Sequence, residues 1–172
     1  MKKYLSSIII RYLILILLGL GNLFIFYSVF GPLTFYPVYF ILDFIYGASI
    51  LSKETIYFNG ISANIVQACI AGSAYYLLLI LNLTTKMKAQ TRMKSLFFLI
   101  GSFLILNIAR IVFFAALFSF GFKYFDLTHR IIWYAGSTLL VVLLWFGNVY
   151  LFKIKEIPVY SDAILILKHI RS

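Results

Sequence analysis

The chain has 172 residues, of which 63% are hydrophobic and 12% charged, with a net charge of +10 and a mean hydropathy of +1.02. Soluble domains are about half apolar and about a quarter charged, so this composition excludes an ordinary soluble fold and indicates an integral membrane protein. One cysteine excludes an intramolecular disulfide and a cysteine-cluster metal site; the Lys and Arg lie between apolar runs, where lipid headgroups and topology signals account for them and a nucleic-acid partner does not.

In chain order, residues 8–30 are apolar apart from Arg11 and Asn22, and Gly31-Pro32 follows as a stop signal. The run is too long for the h-region of a signal peptide and has no A-x-A-like cleavage site, so it reads as a retained signal-anchor span behind Lys2 and Lys3. Residues 33–51 (LTFYPVYFILDFIYGASIL) are apolar but interrupted by Pro37 and Asp43. ETIYFNGISANI alternates before Asn59-Gly60 and reads as a short hairpin. Residues 65–83, 95–120 and 131–152 are three further spans. The tail IPVYSDAILILKHIRS reads as a short interfacial helix.

The stretch TTKMKAQTRMK carries Lys86, Lys88, Arg92 and Lys94 without an acid and is the strongest cytoplasmic signal. With a basic N-terminus also inside, parity requires that 33–51 not cross. It should re-enter or lie in the outer interface, its tyrosines at headgroup depth. The expected fold is thus an all-α integral membrane protein: one polytopic domain over 1–172, a bundle of four transmembrane helices plus a re-entrant or interfacial segment. Five full spans, with the N-terminus outside, is the rival.

Three residues stand out against this background. Cys69 lies about four residues, or about 6 Å, inside the outer end of its span. Arg110 lies about nine or ten residues, or about 14 Å, inside its own. His129 opens the last span. All three fall in one leaflet on three helices, and the inner ends show nothing comparable. A mid-span arginine costs about 3 kcal/mol or more unless it faces the bundle and finds polar partners; Asn107, one turn earlier, shares its helical face. The chemistry these types allow is nucleophilic. A cation near the thiol favours the thiolate or holds an oxyanion, and a histidine relays the proton to a leaving amine. No G-x-S-x-G, no H-E-x-x-H and no acidic pair offers a competing reaction.

QACIAGS around Cys69, NIARI with Asn107 and Arg110, and LTHR with His129 resemble, in order and spacing, the archaeosortase/exosortase family of membrane cysteine transpeptidases. The strand-like IYFNGISANIVQAC before the cysteine is similar too. The resemblance covers residues 56–132. It departs at Ile70-Ala71, which stand between the cysteine and Gly72 where the family usually has a small residue and glycine. The resemblance implies catalysis by Cys69, Arg110 and His129, supported by Asn107, with no metal or organic cofactor. It implies secreted protein substrates bearing a C-terminal recognition motif, transmembrane helix and basic tail. These would be cut on the outer face and passed to an acceptor such as a membrane lipid amine. The alternative from another class is a small non-enzymatic membrane subunit in which Arg110 pairs with a partner helix.

Overall fold

The computed structural model describes residues 2–170, the side chains of residues 2–5, 165, 166 and 168–170 lying outside the described part. Helix α1 (Lys2–Gly19) is followed by α2 (Phe24–Tyr46). Three short strands come next, β1 (Ser49–Ile50), β2 (Thr55–Phe58) and β3 (Ile61–Asn64). One turn of helix, α3 (Gln67–Ile70), leads into α4 (Gly72–Thr84). The long α5 (Ala89–Ser119) returns, and α6 (Phe125–Ile131), a π-helical stretch (Ile132–Gly136) and α7 (Ser137–Leu151) form one continuous rod. Helix α8 (Tyr160–Ile170) ends the described chain. Among the described residues, four stretches are long and apolar enough to cross a membrane: Phe24–Tyr46, Gln67–Thr84, Ala89–Ser119 and Phe125–Leu151. The chain is a multi-pass all-α membrane bundle with four such stretches, as expected in number, but the first is Phe24–Tyr46 and not 8–30.

The boundary between the first two elements does not fall where the sequence puts it. The helix break expected at Gly31-Pro32 lies at Gly21, Asn22 and Leu23, all with positive φ, and α2 runs unbroken through Pro32 and Pro37. Residues 33–51 are therefore not a separate re-entrant piece but the second half of α2 and the start of the sheet. Prolines are tolerated inside a membrane helix because the surrounding bundle resettles the freed groups. Tyr76 packs against the helices on both sides of the actual break. Its hydroxyl donates to Leu15 O at 2.9 Å, and a Cβ on Gly19 would come within 2.5 Å of that hydroxyl.

Contacts along α4 give the direction of the first two helices. Arg11 reaches Leu83, Leu15 meets Tyr76, Phe26 packs on Tyr76, and Gly31 lies against Ile70. Helices α1 and α2 thus travel in the same sense, counter to α4. The N-terminal helix begins at the end of the bundle that holds the 84–94 loop and α8, while the sheet and the 120–124 turn occupy the other end. The core between is tied by Tyr75, stacked on Phe30 at 3.7 Å and edge-on to Phe103 at 4.7 Å, so one ring joins α2, α4 and α5.

The sequence showed nothing at the basic end to compare with the other leaflet; the structure corrects this. Arg11 is buried, its Nη2 bonded to Asp162 at 3.0 Å and its Nη1 to Leu83 O at 2.6 Å. An apolar helix carrying one arginine gives no hint that its partner stands on α8, 151 residues later. Breaking a buried pair from one side leaves an uncompensated charge, at a cost of about 3–5 kcal/mol. Arg11→Leu or Asp162→Leu alone should each lower the thermal midpoint in detergent, and the double variant should lose less than the sum. Additive losses would show that the two residues are not coupled.

Candidate active site

The hairpin that leads to the cysteine forms as its alternation suggests. Asn59 and Gly60 both have positive φ, at 46° and 78°, as a two-residue primed turn demands, and Phe58 faces Ile61 across it. Ile56 and Phe58 point into the core. Strand β1, pairing Ser49 with Tyr57 and Ile50 with Ile56, is an addition the sequence did not announce. The tip is held at the end of α5, where Asn59 Nδ2 donates to Ser119 Oγ at 2.7 Å.

From β3 the chain enters α3, and Cys69 lies in that single turn, half-buried. The turn does not flow into α4. Ala71 adopts a left-handed conformation, φ 58° and ψ 45°, and the helix restarts at Gly72. Ile70-Ala71, the departure from the family pattern, is thus the site of a break. Gly72 lies so close to Tyr27 that a Cβ would stand 2.7 Å from its ring, which keeps α2 tight against the break.

A helix broken inside a bundle leaves carbonyls without donors. Here Ala74 and Tyr75 both donate to Ala71 O, and the Cys69 and Ile70 carbonyls are taken by α5 instead. Asn107 Nδ2 donates to Cys69 O at 2.9 Å and to Ile70 O at 3.4 Å. Arg110 Nη2 adds a longer bond to Cys69 O at 3.4 Å, while its Nη1 donates to Ser137 Oγ at 2.6 Å. Asn107 and Arg110, one turn apart, therefore grip the backbone of the cysteine turn. Asn107 is buried behind it. Arg110 is half-buried and reaches the cavity described next.

A cavity of about 490 Å³ opens in front of the cysteine. One wall is β3 and its exit, from Ile61 to Val66; the second is one face of α5, with Arg110, Ile111, Phe114, Ala115 and Phe118; the third is Phe125, His129 and Trp133. Cys69, Arg110 and His129 all border it, while Asn107 does not. His129 is exposed, its ring stacked on Phe125 at 5.4 Å and edge-on to Phe114 at 5.0 Å. Neither of its ring nitrogens is hydrogen-bonded among the described residues.

Two contributors escaped the sequence. Ser137 is the hydroxyl that accepts from Arg110, and a serine at the head of an apolar run carries no special signal. The π-helical stretch Ile132–Gly136 is the other. In a regular α-helix, residues four apart drift by about 40° per step. The wider π turn opposes that drift, so that His129, Trp133 and Ser137 all serve one side of the rod. Such single π turns often mark functional sites.

Comparison with protein-family models, with characterised proteins and with solved structures finds no match. The site is therefore read from its own geometry. Asn107→Leu orphans the Ile70 carbonyl, at a cost of about 1–3 kcal/mol, and leaves the Cys69 carbonyl with only the longer bond from Arg110. It should lower the thermal midpoint and change the rate at which a membrane-permeant maleimide alkylates Cys69. An unchanged rate would mean that Asn107 does not position the cysteine turn.

Proposed function

We propose that the protein is a membrane-embedded cysteine peptidase or transpeptidase, similar to the archaeosortase/exosortase enzymes, acting on C-terminal sorting tails of secreted proteins. The observation that carries this reading is the convergence of Cys69, Arg110 and His129, from three separate segments, on one cavity at the sheet end. The basic residues of the 84–94 loop lie at the opposite end, so by the positive-inside rule the cavity opens outward. Substrates arriving by secretion meet it there.

The steps follow from the groups at hand. The Cys69 thiolate attacks the scissile carbonyl, and the developing oxyanion is drawn to the Arg110 guanidinium. His129 takes the thiol proton and returns it to the leaving amine as the C–N bond breaks. A thioester joins substrate and Cys69. An amine acceptor, or water, then attacks that carbonyl, gives its proton to His129 and restores the thiol. The acceptor amine of a membrane lipid fits a site open to the outer leaflet.

A second reading has its own observation. The bonds of Asn107 and Arg110 to the Cys69 and Ile70 carbonyls are those of a helix-break clamp, and a non-enzymatic membrane subunit needs no more of them. The two readings part on the thiol. With a secreted substrate bearing a motif, transmembrane helix and basic tail, the wild type should trim the tail on a gel. Cys69→Ala and Cys69→Ser should leave it intact while inserting normally. His129→Ala should slow trimming by about 100-fold or more. Trimming by Cys69→Ala at the wild-type rate would discard the peptidase reading in favour of the subunit.

A further inference from the structure

Strand β3 is an edge strand of the sheet, whose order is β1-β2-β3. Its pairing leaves one edge unused, and the phase of that edge is fixed. Ile65 N donates to Glu54 O at 2.7 Å, and Phe58 faces Ile61 across a two-residue turn. In an antiparallel ladder bonded pairs alternate with unbonded ones. Ile61, Ala63 and Ile65 therefore turn their N–H and C=O toward β2, and Ser62 and Asn64 turn theirs away from it. Among the described residues these outward groups have no partner.

The free edge borders the cavity. The residues from Ile61 to Val66 line it consecutively, as an edge does; a face would present every second residue. Across the cleft stands the apolar side of α5. Backbone amides that enter the cleft give up water on that side and must regain hydrogen bonds from the protein. An extended peptide is the ligand whose own donors and acceptors repeat at the spacing of Ser62 and Asn64.

We propose that a substrate segment binds in extended form as a fourth strand on β3, parallel to it, with its C-terminal end directed at Cys69. The backbone of Ser62 and Asn64 would hold it. This rests on the peptidase reading for the chemistry that follows binding, not for the binding itself. The direction comes from the frame. The hairpin tip is fastened to Ser119, whereas the Cys69 carbonyl is held by Asn107 and Arg110, so β3 descends along α5 toward the cysteine. A chain entering from the open end and continuing into the membrane travels the same way. In a parallel pairing, the peptide residue opposite Ala63 donates its N–H to Ser62 O and accepts from Asn64 N–H. The cleft follows α5 for nine residues, or about 13 Å, which accommodates about four extended residues. Specificity would come from alternate side chains of that segment facing Phe114, Phe118 and Trp133.

The test uses the full chain in lipid nanodiscs and a probe of alternating Val and Thr whose C-terminal end carries a 2-thiopyridyl disulfide. Cys69, the one cysteine, displaces pyridine-2-thiolate and forms a mixed disulfide, with no catalysis required. The probe should label at least tenfold faster than a small thiopyridyl disulfide. N-methylation at alternate residues should erase the advantage, and N-methylation at the intervening ones should not. Amide exchange in the 61–65 segment should slow in the adduct. Ser62→Pro, which removes an outward N–H and leaves the β2 ladder intact, should reduce the advantage. Equal labelling across the N-methyl series would overturn strand addition, and faster labelling by a probe activated at its N-terminal end would overturn the parallel direction. Cys69→Ala that still trims sorting tails would remove the peptidase reading, while the N-methyl pattern stands or falls by itself.

Discussion

A membrane helix can break only where the carbonyls it abandons find other donors, and this fold is organised around one helix broken in that sense. Helix α4 is 13 residues long, about 20 Å, too short to cross by itself. At the sheet end, Asn107 and Arg110 take the carbonyls of Cys69 and Ile70. At the basic end, Thr84 and Thr85 bond back to Ile80 and Leu81. Arg92 takes Asn82 O, Arg11 takes Leu83 O, and the Val159 N–H takes Thr84 O. Charged and amide side chains that would be costly in lipid are used where the backbone has the greatest need of donors.

The same clamp shapes the cavity. Because Ala71 turns left-handed, the cysteine turn is set apart from α4 and leaned on α5. The hairpin before it then runs along α5, its tip fastened to Ser119. Between strand and helix a space remains that the rod of α6 and α7 closes only in part. Arg110 belongs to both features: one amino group shares in the clamp, the other ties to Ser137, and the side chain still borders the cavity.

Much of this was legible from residues. Arg110 had to face inward because of its cost in lipid, and Asn107 shares its face by helical spacing. Asn59-Gly60 fixed the hairpin turn through the positive φ that such turns require. Other features were not legible. Gly31-Pro32 looked like a stop, yet the helix runs through it, and the break falls at Gly21–Leu23, between the Leu15 and Phe26 contacts of Tyr76. Arg11 stood only as an exception in an apolar run, since nothing local points to Asp162. Ser137 and the π turn carried no pattern at all.

The sequence by itself determined the membrane class, three of the four long apolar helices, the basic end and the residue types able to do thiol chemistry. These follow from composition, periodicity and the cost of burying charge, which act locally along the chain. Only the tertiary structure decided that Asn107 and Arg110 hold the cysteine's own carbonyl, that Cys69, Arg110 and His129 border one cavity, and that an unused strand edge runs beside them. Those outcomes depend on which groups far apart in sequence meet to satisfy a broken helix, and partner choice across a bundle is not written in any single segment.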